Sequence, residues 1–167
     1  MVTAIKGNAT STFGGNIDVP QIVTDAPAFS VYRSSNQAIS SSTFTKVQLD
    51  TEEFDTNNNF DNATNYRFTP TVAGYYQFNG SLRNDASTSP TRVIINIYKN
   101  GGLYKRGVDF NIAGGFQATI STLIYLNGTT DYVELYAYIV ATTAVIGTSD
   151  SMYTYFNGFL ARAVWVQ

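Results

Sequence analysis

The chain has 167 residues, a formal charge of −2, and 44% hydrophobic, 14% aromatic and 13% charged residues, against the roughly 25% charged usual for globular domains. It has no cysteine and no histidine, which excludes disulfides, thiolate chemistry, cysteine-bound zinc and the Ser-His-Asp triad. Its pI of about 4.9 argues against a nucleic-acid footprint, so the surface must be kept wet by Thr, Ser, Asn, Gly and 12 tyrosines rather than by charge.

Residues 1–27 form an arm punctuated by Gly7, Gly14, Gly15, Pro20 and Pro27, without the apolar stretch of a signal peptide. Too polar to build a core, it is expected to dock through Phe13, Ile17 and Val19. The surface it docks on is either its own domain or a neighbouring subunit.

Residues 28–167 read as one β domain, because period-two alternation dominates from Phe29 onward. Val93, Ile95 and Ile97 share one face of a strand, as do Phe116, Ala118, Ile120, Thr122, Ile124 and Leu126 in the next. Val133, Leu135, Ala137 and Ile139 follow, with Tyr132, Glu134, Tyr136 and Tyr138 on the other side. Tyr155, Asn157, Phe159, Ala161 and Ala163 are expected on one face of the closing strand. Asn100-Gly101-Gly102 predicts a hairpin and Asn127-Gly128 a further turn. The pattern predicts an all-β sandwich or barrel of about eight to ten short strands. The apolar run Val133–Val145 is broken by Glu134, Thr142 and Thr143 and is too short to span a bilayer as a helix, so no membrane partner is expected. Sequons at Asn8, Asn62, Asn79 and Asn127 are what an Asn- and Thr-rich composition produces.

The acidic window Asp50, Glu52, Glu53, Asp55, Asp61 offers two chemistries. Asp55, Asn57, Asn59 and Asp61 resemble an oxygen-rich calcium loop, but Phe60 and Tyr66 occupy the places where an EF-hand needs glycine and glutamate. That leaves an atypical calcium site or a solvated polar loop. Glycoside hydrolysis needs two facing carboxylates, whereas Glu52 and Glu53 on a strand point to opposite faces. Arg83, Arg92, Lys99, Lys105 and Arg106 cluster in the middle of the chain, and Lys99 to Arg106 flanks the Asn100 hairpin, as a basic tip for an acidic capsid or cell-surface polymer or as a solubilising edge-strand gatekeeper. No catalytic residues are expected.

The stretch from Phe68 to Phe78, with Gly74, Tyr76 and Phe78, carries the F-x5-G-x-Y-x-F spacing and resembles the signature of the C1q/TNF-like family. Pro27–Tyr32, Thr45–Leu49, Phe54–Thr56 with Phe60-Asp61, Asp131–Leu135 and Tyr155–Leu160 are similar to the family's other segments, in order. Gly80 departs from the signature, which wants an aromatic there. The resemblance implies a jelly-roll sandwich of about ten strands with a short N-terminal arm, assembled as a homotrimer. It implies a core containing Phe68, Tyr76, Phe78 and Phe159. Some relatives bind calcium, which keeps the loop around Asp55 in view. Tyr132, Tyr136 and Tyr138 then have two readings: a threefold contact, favoured for their apolar bodies and hydroxyl tips, or a simple covering of one sheet.

The Asn/Thr/Tyr-rich texture and the Thr10–Ile17 leader are similar to those of tailed-bacteriophage virion proteins. The leader is too short for a fibre shaft, which points to a free-standing decoration (cement) protein clamping major-capsid subunits in the virion. The other expectation is a fibre or spike head binding a host-surface glycan or protein receptor.

Overall fold

The computed structural model describes residues 26–84, 90–111, 116–147 and 151–164. The arm residues Phe13, Ile17 and Val19 therefore lie outside the described residues. The described chain forms strands joined by turns, without a helix among them.

In chain order the strands are β1 (Ala28–Tyr32), β2 (Gln37–Ile39), β3 (Thr45–Lys46), β4 (Thr51–Asp55), β5 (Phe60–Asp61), β6 (Arg67–Phe68), β7 (Gly74–Asn84), β8 (Arg92–Lys99), β9 (Gly102–Phe110), β10 (Gln117–Leu126), β11 (Val133–Val140), β12 (Ala144–Gly147) and β13 (Tyr155–Ala163). The count exceeds the predicted one because short pieces at the sheet margins separate from the long strands. β7 and β10 are the longest and pair antiparallel over their full length. The first sheet runs β2-β12-β7-β13-β1-β4, with β10 on the other side of β7. The second runs β5-β6-β11-β8-β9, with β3 beside β11. These two antiparallel sheets face each other as a jelly-roll sandwich.

The alternation that reads so clearly in the sequence decides what lies between the sheets. Tyr76, Phe78 and Leu82 point inward from β7, Ile95 and Ile97 from β8, and Leu135, Ala137 and Ile139 from β11, all fully buried. Phe29 stacks on Phe68 at 4.4 Å, and Phe78 on Phe156 at 5.5 Å, so aromatic rings join the first strand, the centre and the last strand. The Tyr76 hydroxyl donates to the Val72 carbonyl at 2.7 Å, which gives this buried ring its polar partner. Gly80 sits where Leu135, Ile120 and Ile95 fill the space an aromatic would take: a Cβ there would lie 2.9 Å from the Leu135 Cδ1 atom. At the predicted hairpin, Asn100 and Gly101 both have positive φ, 53° and 78°, the backbone of a two-residue type I′ turn.

Phe159 is a correction. It was expected in the core, yet it is half exposed, because Phe156 and Gly158 carry the inward face of β13. Apolar residues stand on both parities of this strand, so the sequence pattern admits either phase. Pairing with β7 and β1 on either side fixes the one that buries Phe156.

Candidate functional site

The outer faces of the two sheets differ, and the difference locates the candidate site. On the second sheet the exposed apolar side chains, Leu103, Tyr104 and Phe110, are confined to the edge strand β9, and the tyrosines of β8 and β11 have partners inside the chain. Tyr136 stacks on Tyr98 with ring centroids 3.8 Å apart, and the Arg67 guanidinium lies 4.3 Å above the Tyr132 ring. Tyr138 meets Phe44, from the segment between β2 and β3, at 4.8 Å. Lys46 of β3 pairs with the buried Glu134 at 2.5 Å and also donates to the Asn65 carbonyl. Beneath this cover Ile94 and Asn96 are buried although they point away from the main core. Burial, with Glu134 and the neighbouring phenols, pushes the Tyr136 hydroxyl above the usual tyrosine range. The tyrosines expected at a threefold contact are thus half-buried, each with a ring or guanidinium partner within the chain.

On the first sheet the apolar side chains have no such cover. Phe54, Tyr75, Leu123, Tyr125 and Phe159 project from β4, β7, β10 and β13, each between 38% and 51% exposed. Tyr75 and Tyr125 face one another at 5.5 Å. Across the middle of this face runs a row of short polar side chains. The Asn79 amide donates to Asn157 at 3.1 Å, Ser121 donates to Asn79 at 2.9 Å, and Gln77 donates to Ser121 at 3.0 Å. Beside it Phe54 and Phe159 flank a concavity of about 320 Å³ with Ser30 and Asn157 on its floor. A contiguous exposed aromatic face marks an interaction surface.

Tyr75, Leu123, Tyr125 and Phe54 were not singled out as site residues in the sequence. Their signal was present: once Tyr76, Phe78, Ile124 and Leu126 are assigned to the core, alternation sends their neighbours outward.

The remaining expectations fall elsewhere. Asp55 accepts the Phe60 amide at 2.6 Å and the Asn57 amide at 3.3 Å. Asp61 accepts the Thr64 amide at 2.8 Å, the Ala63 amide at 3.1 Å and the Asn65 side chain at 2.6 Å. Those bonds, the Thr64 amide first, hold the Asp61 carboxyl down to about 2. Asn59 donates to the Asn57 carbonyl and accepts the Thr71 amide. The four residues are thus engaged in successive turns. Among the described residues no three His, Cys, Asp or Glu side chains converge as metal ligands, and the oxygens of Asp55, Asn59 and Asp61 are occupied by turn bonds. The basic residues are partly neutralised: Arg92 makes two 2.9 Å bonds to Asp109, and Lys99 pairs with Asp131 at 2.9 Å, whereas Arg83 and Lys105 have aromatic neighbours only.

With two antiparallel sheets around an aromatic core, the chain has the architecture of a jelly-roll sandwich module. The C1q domain family model matches residues 28–161, and the chain belongs to the C1q domain family. Members of this family are generally non-enzymatic structural or ligand-binding proteins, and C1q domains typically assemble as homotrimers. The fold is similar to the globular domain of zebrafish complement 1qA, with TM-score 0.56 and 20% identity over 83% of this chain and 99% of that one. It is similar to murine APRIL, with TM-score 0.57 and 9% identity over 81% and 98%. The PRD1 vertex protein P5 is also similar, with TM-score 0.54 and 17% identity over 83% and 96%. No curated protein sequence matches the chain.

Proposed function

We propose that this chain is a bacteriophage virion structural protein: a homotrimeric capsid decoration (cement) protein whose subunits meet through the outer face of the first sheet. Residues 1–27 dock it on the major capsid protein. The observation that carries the proposal is the bare aromatic face around Tyr75, Leu123 and Tyr125 in a domain of a family that typically trimerises. A threefold ring requires heterologous contacts, in which one patch meets a different one on the next copy, and a broad apolar face suits this. Fold likeness to a vertex protein supports the virion setting. Three weakly binding arms on one trimer would hold a shell firmly through effective concentration.

This reading replaces Tyr132, Tyr136 and Tyr138 as the contact, since those rings have partners within the chain. The test is to add purified protein to undecorated shells. Saturable binding that is lost on deleting residues 1–27 supports decoration. Binding to intact host cells that survives that deletion overturns it in favour of a receptor-binding head. The concavity between Phe54 and Phe159, with polar Ser30 and Asn157 on its floor, favours that second reading, because aromatic walls over polar groups suit a sugar.

A further inference from the structure

Strand β13 carries a bulge between Leu160 and Arg162. Up to Leu160 it alternates, with Phe156 and Gly158 inward and Asn157 and Phe159 outward. Strict continuation would turn Arg162 toward the core. The extra residue, Ala161, reverses the phase and sets Arg162 opposite Tyr75, with both side chains exposed on the outer face. Gly74 makes the bulge possible: a Cβ there would lie 2.4 Å from the Arg162 carbonyl oxygen and 2.6 Å from the Leu160 Cδ1 atom. Two departures from the strand pattern thus serve to aim one guanidinium outward.

Arg162, Tyr75, Ala163 and Val164 line a concavity of about 420 Å³. Among the described residues, every other lysine and arginine has an acidic or aromatic partner, as Arg33 has Asp50 and Arg83 has the Tyr153 ring. The Arg162 side chain alone among them makes no hydrogen bond, ion pair or ring contact. A planar guanidinium with a free fork pairs two-pronged with carboxylate or phosphate oxygens. The Tyr75 ring beside it supplies an apolar wall and a second O–H donor. The concavity also lies on the face proposed to contact another copy. A guanidinium covered there without a counter-charge opposes association.

We infer that the Arg162–Tyr75 concavity is an oxyanion site, taking a carboxylate or phosphate group, and that its occupancy strengthens self-association across this face. The coupling to association rests on the trimeric reading above; the anion site does not.

The experiment uses the full chain, with inorganic phosphate and acetate as separate probes against chloride at matched ionic strength. Binding is followed through the backbone amide NMR signals of Tyr75, Ala163 and Val164, which the parent chain and both variants retain, and association by sedimentation. Saturable shifts with either anion, absent in R162Q and weakened in R162K, support the site, and the tighter probe identifies the source chemistry. Saturating anion is expected to lower the dissociation constant of the assembly at least tenfold in the parent chain and not in R162Q. Arg162 is exposed, so both variants keep the fold. If neither anion perturbs these signals, or R162Q binds equally well, the site is overturned. If the assembly is equally tight with and without bound anion, the coupling is overturned. If anion binds while the chain stays monomeric at every concentration, the trimeric reading fails and the site stands.

Discussion

The two outer faces are built from the same materials, tyrosine, phenylalanine and arginine on antiparallel strands, and end in opposite states. On the second sheet Phe44, Arg67 and Lys46 reach over from other strands and loops, so Tyr132, Tyr136, Tyr138 and Glu134 are partnered within the chain. On the first sheet Tyr75, Leu123 and Tyr125 stay exposed, with Lys99 reaching only the margin of the Tyr125 ring at 5.9 Å. An aromatic strand face is therefore not an interface by composition. It is one only where the chain leaves it uncovered.

The largest effect should come from charging the bare face. Y75K combined with L123K is expected to raise the dissociation constant of the assembly at least ~100-fold while each chain stays folded, as sedimentation and circular dichroism would show together. An unchanged assembly would break the distinction between the faces. On the covered face the effect should fall on stability instead. Tyr136→Ala removes the ring stacked on Tyr98 and should cost about 2 kcal/mol, lowering Tm by about 4–8 °C at fixed protein concentration, with association retained. E134Q should cost less, about 1–2 kcal/mol by denaturant titration, because Lys46 is left beside a neutral amide but keeps the Asn65 carbonyl and some solvent.

The smallest effect concerns acid. The Asp61 carboxyl is held at about 2 rather than 3.8, so its contribution to stability is complete above the unfolded value and is lost as pH falls from about 4 toward 2. D61A should flatten the stability profile across that interval alone, measured as unfolding midpoint against pH. A profile identical to the parent's would mean that its turn bonds do not hold in solution.

Much of this was legible in the sequence, for a physical reason. β7, β8, β10 and β11 are long, half-buried and period-two, so Tyr76, Ile95, Ile120 and Leu135 declare their own faces. The F-x5-G-x-Y-x-F spacing around Gly74 marked the family. What was not legible depends on residues far apart in the chain. Tyr138 and Tyr125 are locally alike; the neighbour that covers Tyr138, Phe44, lies more than ninety positions upstream. Phe159 was misassigned because Tyr155, Phe156, Phe159 and Leu160 put rings and apolar chains on both parities. The bulge after Leu160 leaves no signature in composition. Asp55 and Asp61 show the reverse: Asx turns and oxygen-rich metal loops draw on the same residues, and only the amides facing the carboxylates distinguish them.

The place of β13 has a consequence for when this molecule comes to exist. The strand joins β7 to β1 in the middle of the first sheet, yet among the described strands it comes last in chain order. Until Ala163 has been synthesised, β7 and β1 wait with unsatisfied edges, separated by a gap that no earlier strand fills in the finished sheet. Pairing Ala28 with Phe159 also demands the closure of a very long loop, which places folding in the slow regime of high contact order, roughly milliseconds to seconds. Phe159 and Arg162 reach the bare face only with that final strand. The exposed aromatic face is therefore incomplete until β13 has paired: without that strand, Phe159 and Arg162 are missing from it.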